Sequence, residues 1–276
     1  AGGQYIYLRE AYNPLIGFLY GWTLFLVIQT GTIAAVAVAF AKFTAVLLPW
    51  FSETNILIAL FGIRISAAQV LAIVSIAGLT MINLRGLREG KIVQNLFTIT
   101  KTAALFALIV LGIALASNPD IIKQNLATLW EARGAEGTPF AGAISGFAVL
   151  AVLGTAMVGS LFSSAAWNNI TFTAGEVINP RRNIPLSLAL GTGTVALLYV
   201  LANVAYLMVL PLPGDPHATD VLGRGIQYAE GDRVGVAAAS QLFGGSAAII
   251  MAVFLMISTF GCNNGLILAG ARVSYA

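Results

Sequence analysis

Of the 276 residues, 58% are hydrophobic and 9% are charged, and the formal net charge is +3. An ordinary soluble domain is about a quarter charged, so that class is excluded, and the small basic excess is spread over several loops and points to no nucleic-acid partner. Cys262 is the single cysteine, so no intrachain disulfide framework exists.

Residues 1–14 are amphipathic and are expected along the membrane surface, with Tyr5, Tyr7, Tyr12, Tyr20 and Trp22 as interfacial anchors. The opening AGGQYIYLRE has no initiator Met and no cleavable signal, and the chain is expected to begin and end inside a larger protein. The first predicted span covers residues 15–48. As one helix it is about 50 Å long, more than a hydrocarbon core of about 30 Å, so it must tilt or project. Gln29, Thr30 and Thr32 fall in the middle of that run, where they either bond between helices or line a pocket.

The second span is predicted over residues 66–84, followed by a tight turn over 85–91, and the third over 92–116. Asn118-Pro119 stops it, and an acidic loop follows. The fourth runs from 142 to 173, again too long for one straight perpendicular helix. The fifth covers 186–210 and is closed by Pro211 and Pro213. Residues 215–245 read as an external loop with a short helix, and the sixth span covers 247–271. The fold class is therefore an all-α polytopic membrane protein, one transmembrane domain over residues 1–276.

Charge orients the spans. Arg9, Arg85, Arg88, Lys91, Arg181, Arg182 and Arg272 share one side, whereas basic residues on the other are outnumbered by the acids between Glu53 and Asp232. Positive-inside places the first side, with both chain ends, in the cytoplasm.

Three polar interruptions could carry chemistry, because polar groups at membrane depth are expensive and mark pathways or sites. Lys101 lies ten residues beyond Lys91, about 15 Å into the membrane. It is either a tether to helix carbonyls or a functional cation, fixed or proton-carrying. The stretch from Phe162 to Asn169 places Ser164 about 18 Å deep, counted from the cytoplasmic turn after Glu176. It reads either as a continuous helix packed through small residues or as an unwound segment. An unwound segment would offer carbonyls to an ammonium and a helix N-terminus to a carboxylate. The third patch, Ser258 to Gly265, puts Ser258 about 20 Å and Asn264 about 12 Å from Arg272. Gly261 and Gly265 form a small-xxx-small pair suited to close packing. No metal cluster, phosphate loop or catalytic triad is present and His217 stands alone in a loop, so neither an enzyme nor a cofactor is implied.

These stretches resemble the amino acid–polyamine–organocation superfamily, close to the bacterial amino acid permeases and L-type amino acid transporters. AGGQYIYLREAYNPLIGFLYGW is similar to the entry to that family's third helix, LFSSAAWNNITFTAGEVINPRRNIPLSL to its discontinuous sixth, and STFGCNNGLILAGARVSYA to its eighth. The resemblance implies a LeuT-type fold of inverted repeats, of which helices three to eight are present here. It implies secondary amino acid transport by alternating access around a midplane site.

Carried over by position, the resemblance makes Phe162 the aromatic cover of the substrate. It assigns the carbonyls of Phe162 and Ala165 to the α-ammonium, and Ser163, Ser164, Trp167 and Asn168 to the pocket; Gln29, from its place in the first span, is the further candidate for substrate binding. Lys101, closing the motif VQNLFTITK, would stand with Ser258 and Thr259 where sodium-coupled relatives hold sodium, implying sodium-independent exchange or proton coupling. Ala165 and Ala166 stand where relatives often carry Asp or Gly, which points to neutral rather than basic substrates. Loop 49–65 has no cysteine, so no disulfide-linked heavy chain is expected. A bacterial inner-membrane location is expected, the partners being the amino acid and the bilayer. A polyamine or agmatine carrier is the alternative substrate class, and a non-transporting membrane sensor or inactive fragment the alternative of another kind.

Overall fold

The computed structural model describes residues 2–60, 63–85, 87–131, 133–134, 142–143 and 146–273. Helices α1 (Gln4–Ala11) and α2 (Pro14–Thr23) lead through a π-helical segment, Leu24–Gln29, into α3 (Thr30–Leu47). A hairpin of β1 (Ile56–Leu60) and β2 (Ile63–Ser66) precedes α4 (Ala67–Leu84) and α5 (Leu87–Leu115). Then come α6 (Pro119–Thr128), the two-residue strands β3 (Arg133–Gly134) and β4 (Gly142–Ala143), and α7 (Ala148–Ser163). A 3₁₀ stretch, Ala165–Glu176, leads to α8 (Pro180–Val209), α9 (Val221–Arg224), α10 (Val234–Phe243) and α11 (Ala247–Val273).

Among the described residues, six helical stretches are long and apolar enough to cross a bilayer: Pro14–Leu47, Ala67–Leu84, Gln94–Leu115, Ala148–Glu176, Pro180–Val209 and Val234–Arg272. The protein is thus a multi-pass, all-α membrane protein, and among the described residues its strands are confined to short pairs between spans. Large apolar side chains such as Phe18, Phe25, Ile73, Met81, Ile99 and Leu190 face outward. A bilayer solvates such a surface, and helices satisfy their own backbone within it.

Local chemistry explains most boundaries. Asn13 caps α2 by accepting from Ile16 N at 3.0 Å, with Pro14 at the first helical position. Ser66 and Gln69 form a capping box at α4, Gln69 N donating to Ser66 Oγ at 3.3 Å and Ser66 N to Gln69 Oε1 at 2.9 Å. Asn118 caps α6 the same way, accepting from Asp120 N at 2.9 Å. Two boundaries differ from the sequence expectation. Helix α5 begins at Leu87, so most of the stretch read as a tight turn is already helical; Arg88, Glu89 and Lys91 are good helix formers. Helix α8 begins at Pro180 and carries Pro185 inside it. A proline at the first position is pre-organised for the helix, and Pro185 so near the start removes only one intrahelical bond. The loop read over residues 49–65 holds the β1–β2 hairpin, registered Ala59 to Arg64 and Ile58 to Ile65.

The chain forms two compact units. The first comprises Ala1–Phe106, Asn168–Gly193 and Ala248–Ala276. In it α3 and α4 pack together, with small buried residues on both, Ala37, Ala41 and Thr44 on one and Ala68, Ala72 and Ser75 on the other, beside the larger buried Leu79. Phe172, buried with Leu24 and Ala269, anchors the 3₁₀ stretch. Gly3 holds φ at +49°, and a Cβ there would stand 2.5 Å from Thr171 Oγ1, so only glycine lets the N-terminal segment lie against that stretch. Beyond it Arg9 lies 5.8 Å from the Tyr5 ring and bonds Glu10, and that bond raises the guanidinium pKa.

The second unit comprises Ala107–Trp167 and Thr194–Ala247. Its organising residue is Asn125, buried on α6. Asn125 Nδ2 donates to Leu207 O at 2.7 Å and Leu210 O at 2.8 Å, and Oδ1 accepts from Leu212 N at 2.6 Å. Carbonyls at the last turn of α8, orphaned by helix geometry, thereby find donors. Val209 and Leu210 pack beneath with Ala229, Ala237 and Ala238.

Candidate functional site

Helix α11 is the pillar of the first unit, and its partners reach it through side chains of matched size. Against α5, a Cβ at Gly265 would stand 3.2 Å from the Gln94 amide, a Cβ at Gly261 would collide with Phe97, and Leu268 Cδ1 lies 3.4 Å from where a Cβ of Gly90 would be. The helices run antiparallel: each advance of three or four residues on one is matched by a retreat of three or four on the other. One further step, seven residues from Gly265 and from Gln94, brings α11 to Ser258 and α5 to Lys101. Lys101 is half-buried, and Cys262 lies one turn from Ser258 along α11. Thr259 is half-buried and donates its hydroxyl to Leu255 O at 2.7 Å, which leaves oxygen lone pairs free to accept.

Below that level stands an aromatic bracket. Phe260 meets Phe40 of α3 at 5.3 Å and Phe97 of α5 at 5.4 Å between ring centroids, tilted and edge-on. One turn further toward Arg272 lies a buried amide cluster. Asn264 is fully buried; its Oδ1 accepts from Asn83 Nδ2 at 2.9 Å, and its Nδ2 donates to Gln94 Oε1 at 3.2 Å and Gly90 O at 3.3 Å. Asn83 Nδ2 also donates to Leu79 O at 2.9 Å. Asn83 Oδ1 and Asn263 Oδ1 are buried with no hydrogen-bond partner.

The remaining predicted site residues fall as follows. Gln29 ends the π segment, a rare helix form, and its Nε2 donates to Leu266 O of α11 at 2.6 Å, fitting over Gly270. Of the two roles open to Gln29, the structure shows the interhelical bond. Thr30 and Thr32 bond back to their own helix, at Leu26 O and Ile28 O. At Ser164 α7 gives way to the 3₁₀ stretch, and Ser164 N is shared between Ser160 O at 3.1 Å and Leu161 O at 3.3 Å. Ser163 Oγ donates to Ser160 O at 3.0 Å, and Trp167 is 60% exposed. Asn168 is half-buried, its carbonyl accepting from Thr171 Oγ1 at 2.7 Å. The side chains of Phe162 and Ala165 lie outside the described residues; their backbones close α7 and open the 3₁₀ stretch. Twelve residues of 3₁₀ helix is long for a form that rarely exceeds four and that, inside a helix, marks hinges. Lys101, Ser258, Thr259, Gln29 and Asn168 belong to the first unit, and Ser163, Ser164 and Trp167 to the second.

A family model described as amino acid permease matches residues 1–276. The chain belongs to the amino acid permease family. The b(0,+)-type amino acid transporter 1 of Oryctolagus cuniculus is 28% identical over 276 residues, covering 100% of this chain and 49% of the relative. The serine/threonine exchanger SteT of Bacillus subtilis (strain 168) is 28% identical over 282 residues, covering 100% and 52%. The cystine/glutamate transporter of Homo sapiens is 26% identical over 275 residues, covering 100% and 47%. The chain spans about half the length of these curated relatives. For this permease chain, Asn83 and Gln94 are the polar residues that sequence reasoning passed over. Gln94 lies seven residues before Lys101, on the same helical face, and Asn83 interrupts the end of an apolar run.

Proposed function

We propose that the protein carrying this chain is a secondary active transporter of amino acids. Its substrate is a neutral amino acid, and it works by alternating access, through sodium-independent exchange or proton coupling. Membership of the amino acid permease family supports the class of cargo, and the relatives bear the names of amino acid transporters and exchangers. The single observation that supports the mechanism is the register of α5 on α11, with Phe97 at Gly261 and Gln94 at Gly265; continued along both helices, that register would bring Lys101 toward the level of Ser258. A fixed or proton-exchanging cation at that level repels a metal cation by charge alone.

The pocket residues are Phe162, Ser163, Ser164, Ala165, Trp167 and Asn168, where α7 ends and the 3₁₀ stretch begins. Carbonyls at the end of an α-helix lack intrahelical donors, and those of Phe162 and Ala165 would accept from a substrate ammonium. Gln29 takes a supporting part, holding α11 from the α3 side, and Ser258 and Thr259 would share the coupling site with Lys101. With no acid among residues 162–169, a neutral side chain fits better than a basic one. Loop 49–65 has no cysteine with which to bridge a heavy chain. The protein resides in a plasma membrane, the bacterial inner membrane, with Arg9, Arg181, Arg182 and Arg272 on the cytoplasmic side.

Uptake assays on the full-length protein in proteoliposomes test this reading. Labelled serine, threonine and larger neutral amino acids are offered against internal unlabelled stock, with agmatine as a comparison. Counterflow of a neutral amino acid supports the proposal; uptake of agmatine alone, or of nothing, contradicts it.

A further inference from the structure

The face of α11 that meets α5 includes Gly261, Gly265 and Leu268, with the fully buried amide of Asn264 beside it. Small residues alone let two helices slide, because each turn presents much the same surface. A buried amide does not: it must meet donors and acceptors at one level, and a single buried Asn in a helix interface is known to fix register. Asn264 meets them on two helices. It holds α4 through Asn83 at 2.9 Å and α5 through Gln94 at 3.2 Å and Gly90 O at 3.3 Å. Slipping α11 by one turn along α5 would carry Asn264 toward Phe97, whose ring offers no such partner, and would remove Ser258 from the level of Lys101. Beside it, Asn83 Oδ1 and Asn263 Oδ1 are buried acceptors with no hydrogen-bond partner, and an oxygen cannot supply the donor that Asn264 Nδ2 gives to Gln94 Oε1 and Gly90 O.

We propose that Asn264 is a positioning residue whose amide pins the register of α11 on α5 and thereby sets Lys101 opposite Ser258. The consequence for transport rests on the functional reading above; the register itself does not. Asn264 touches no substrate. It acts through Lys101, and its loss should slow the transport cycle more than it weakens substrate binding.

The test uses the full-length protein with Cys262 and any cysteine outside these residues replaced by Ala, together with Lys101→Cys and Ser258→Cys, treated with a short bifunctional thiol reagent. With Asn264 present, positions 101 and 258 should cross-link in high yield. Asn264→Ala should lower that yield severalfold in protein that remains monodisperse in detergent. Gln94→Ala, which removes one of the three contacts and spares the fold more, should give an intermediate yield. In the otherwise native protein, Asn264→Ala should reduce maximal exchange about tenfold while KM stays within about twofold. Failure of positions 101 and 258 to cross-link, or a yield indifferent to both Asn264→Ala and Gln94→Ala, overturns the proposal. So does a lost cross-link accompanied by undiminished exchange. The cross-link needs no substrate, so an absence of transport by the native protein would remove the functional reading while leaving the register claim standing on its own result.

Discussion

Lys101 is the residue on which the proposed mechanism turns. A lysine near the bilayer centre costs at least about 2.5 kcal/mol on insertion scales, and nothing in the packing of α5 on α11 needs an ammonium there. Lys101→Ala should therefore leave a folded protein whose exchange is at least about tenfold slower; native exchange rates in that variant would deprive the lysine of its proposed role. Gly261 makes a different demand. Phe97 occupies the space a side chain would fill, so Gly261→Val should lower stability by about 1–3 kcal/mol, read as an earlier thermal unfolding midpoint in detergent. Gly31, with nothing near its missing Cβ, provides the control: Gly31→Ala should leave that midpoint unchanged or raised. The small-residue pair Gly261–Gly265 was legible from spacing. Asn83 and Gln94 were not, because a polar residue near a helix end looks like ordinary interfacial chemistry until its partner across the interface is known.

At the scale of elements, the change from α7 to the 3₁₀ stretch Ala165–Glu176 is the departure most relevant to function. Hydrogen bonds of a 3₁₀ helix are poorer in geometry, so its amides should exchange with solvent deuterium faster than those in the middle of α11. Equal protection in the two would contradict a hinge. Span length and the density of Ser and Asn singled out this stretch in the sequence, but neither distinguishes a 3₁₀ run from an unwound loop. That choice is settled by packing, here by Phe172 buried against Leu24 and Ala269 with Gly3 close by. Asn125 gives the second unit a prediction of its own. Its three bonds, to Leu207 O, Leu210 O and Leu212 N, should make Asn125→Ala cost about 1–3 kcal/mol. Thermal unfolding should place this loss well beyond that of Thr128→Ala, whose hydroxyl bonds its own helix. The position of α5's start and the β1–β2 hairpin escaped sequence reading for a related reason. Glycine and charge beside a span resemble a turn, and a five-residue apolar strand outside a span carries little periodicity to identify it.

For the whole molecule, apolar run length was enough to read six spans, since a bilayer imposes a stricter length rule than a soluble core does. The resemblance then placed the chain in the family that the full-length match supports. What composition could not convey was the importance of α11, whose contacts with α3, α4 and α5 are separated from it by well over a hundred residues of sequence. The central claim is that a protein ammonium at the level of Ser258 replaces a coupling metal cation. Counterflow of a labelled neutral amino acid in proteoliposomes, measured with sodium and with choline in its place, tests it most directly. The same rate in both media is the predicted result, and strict dependence on sodium would contradict the account.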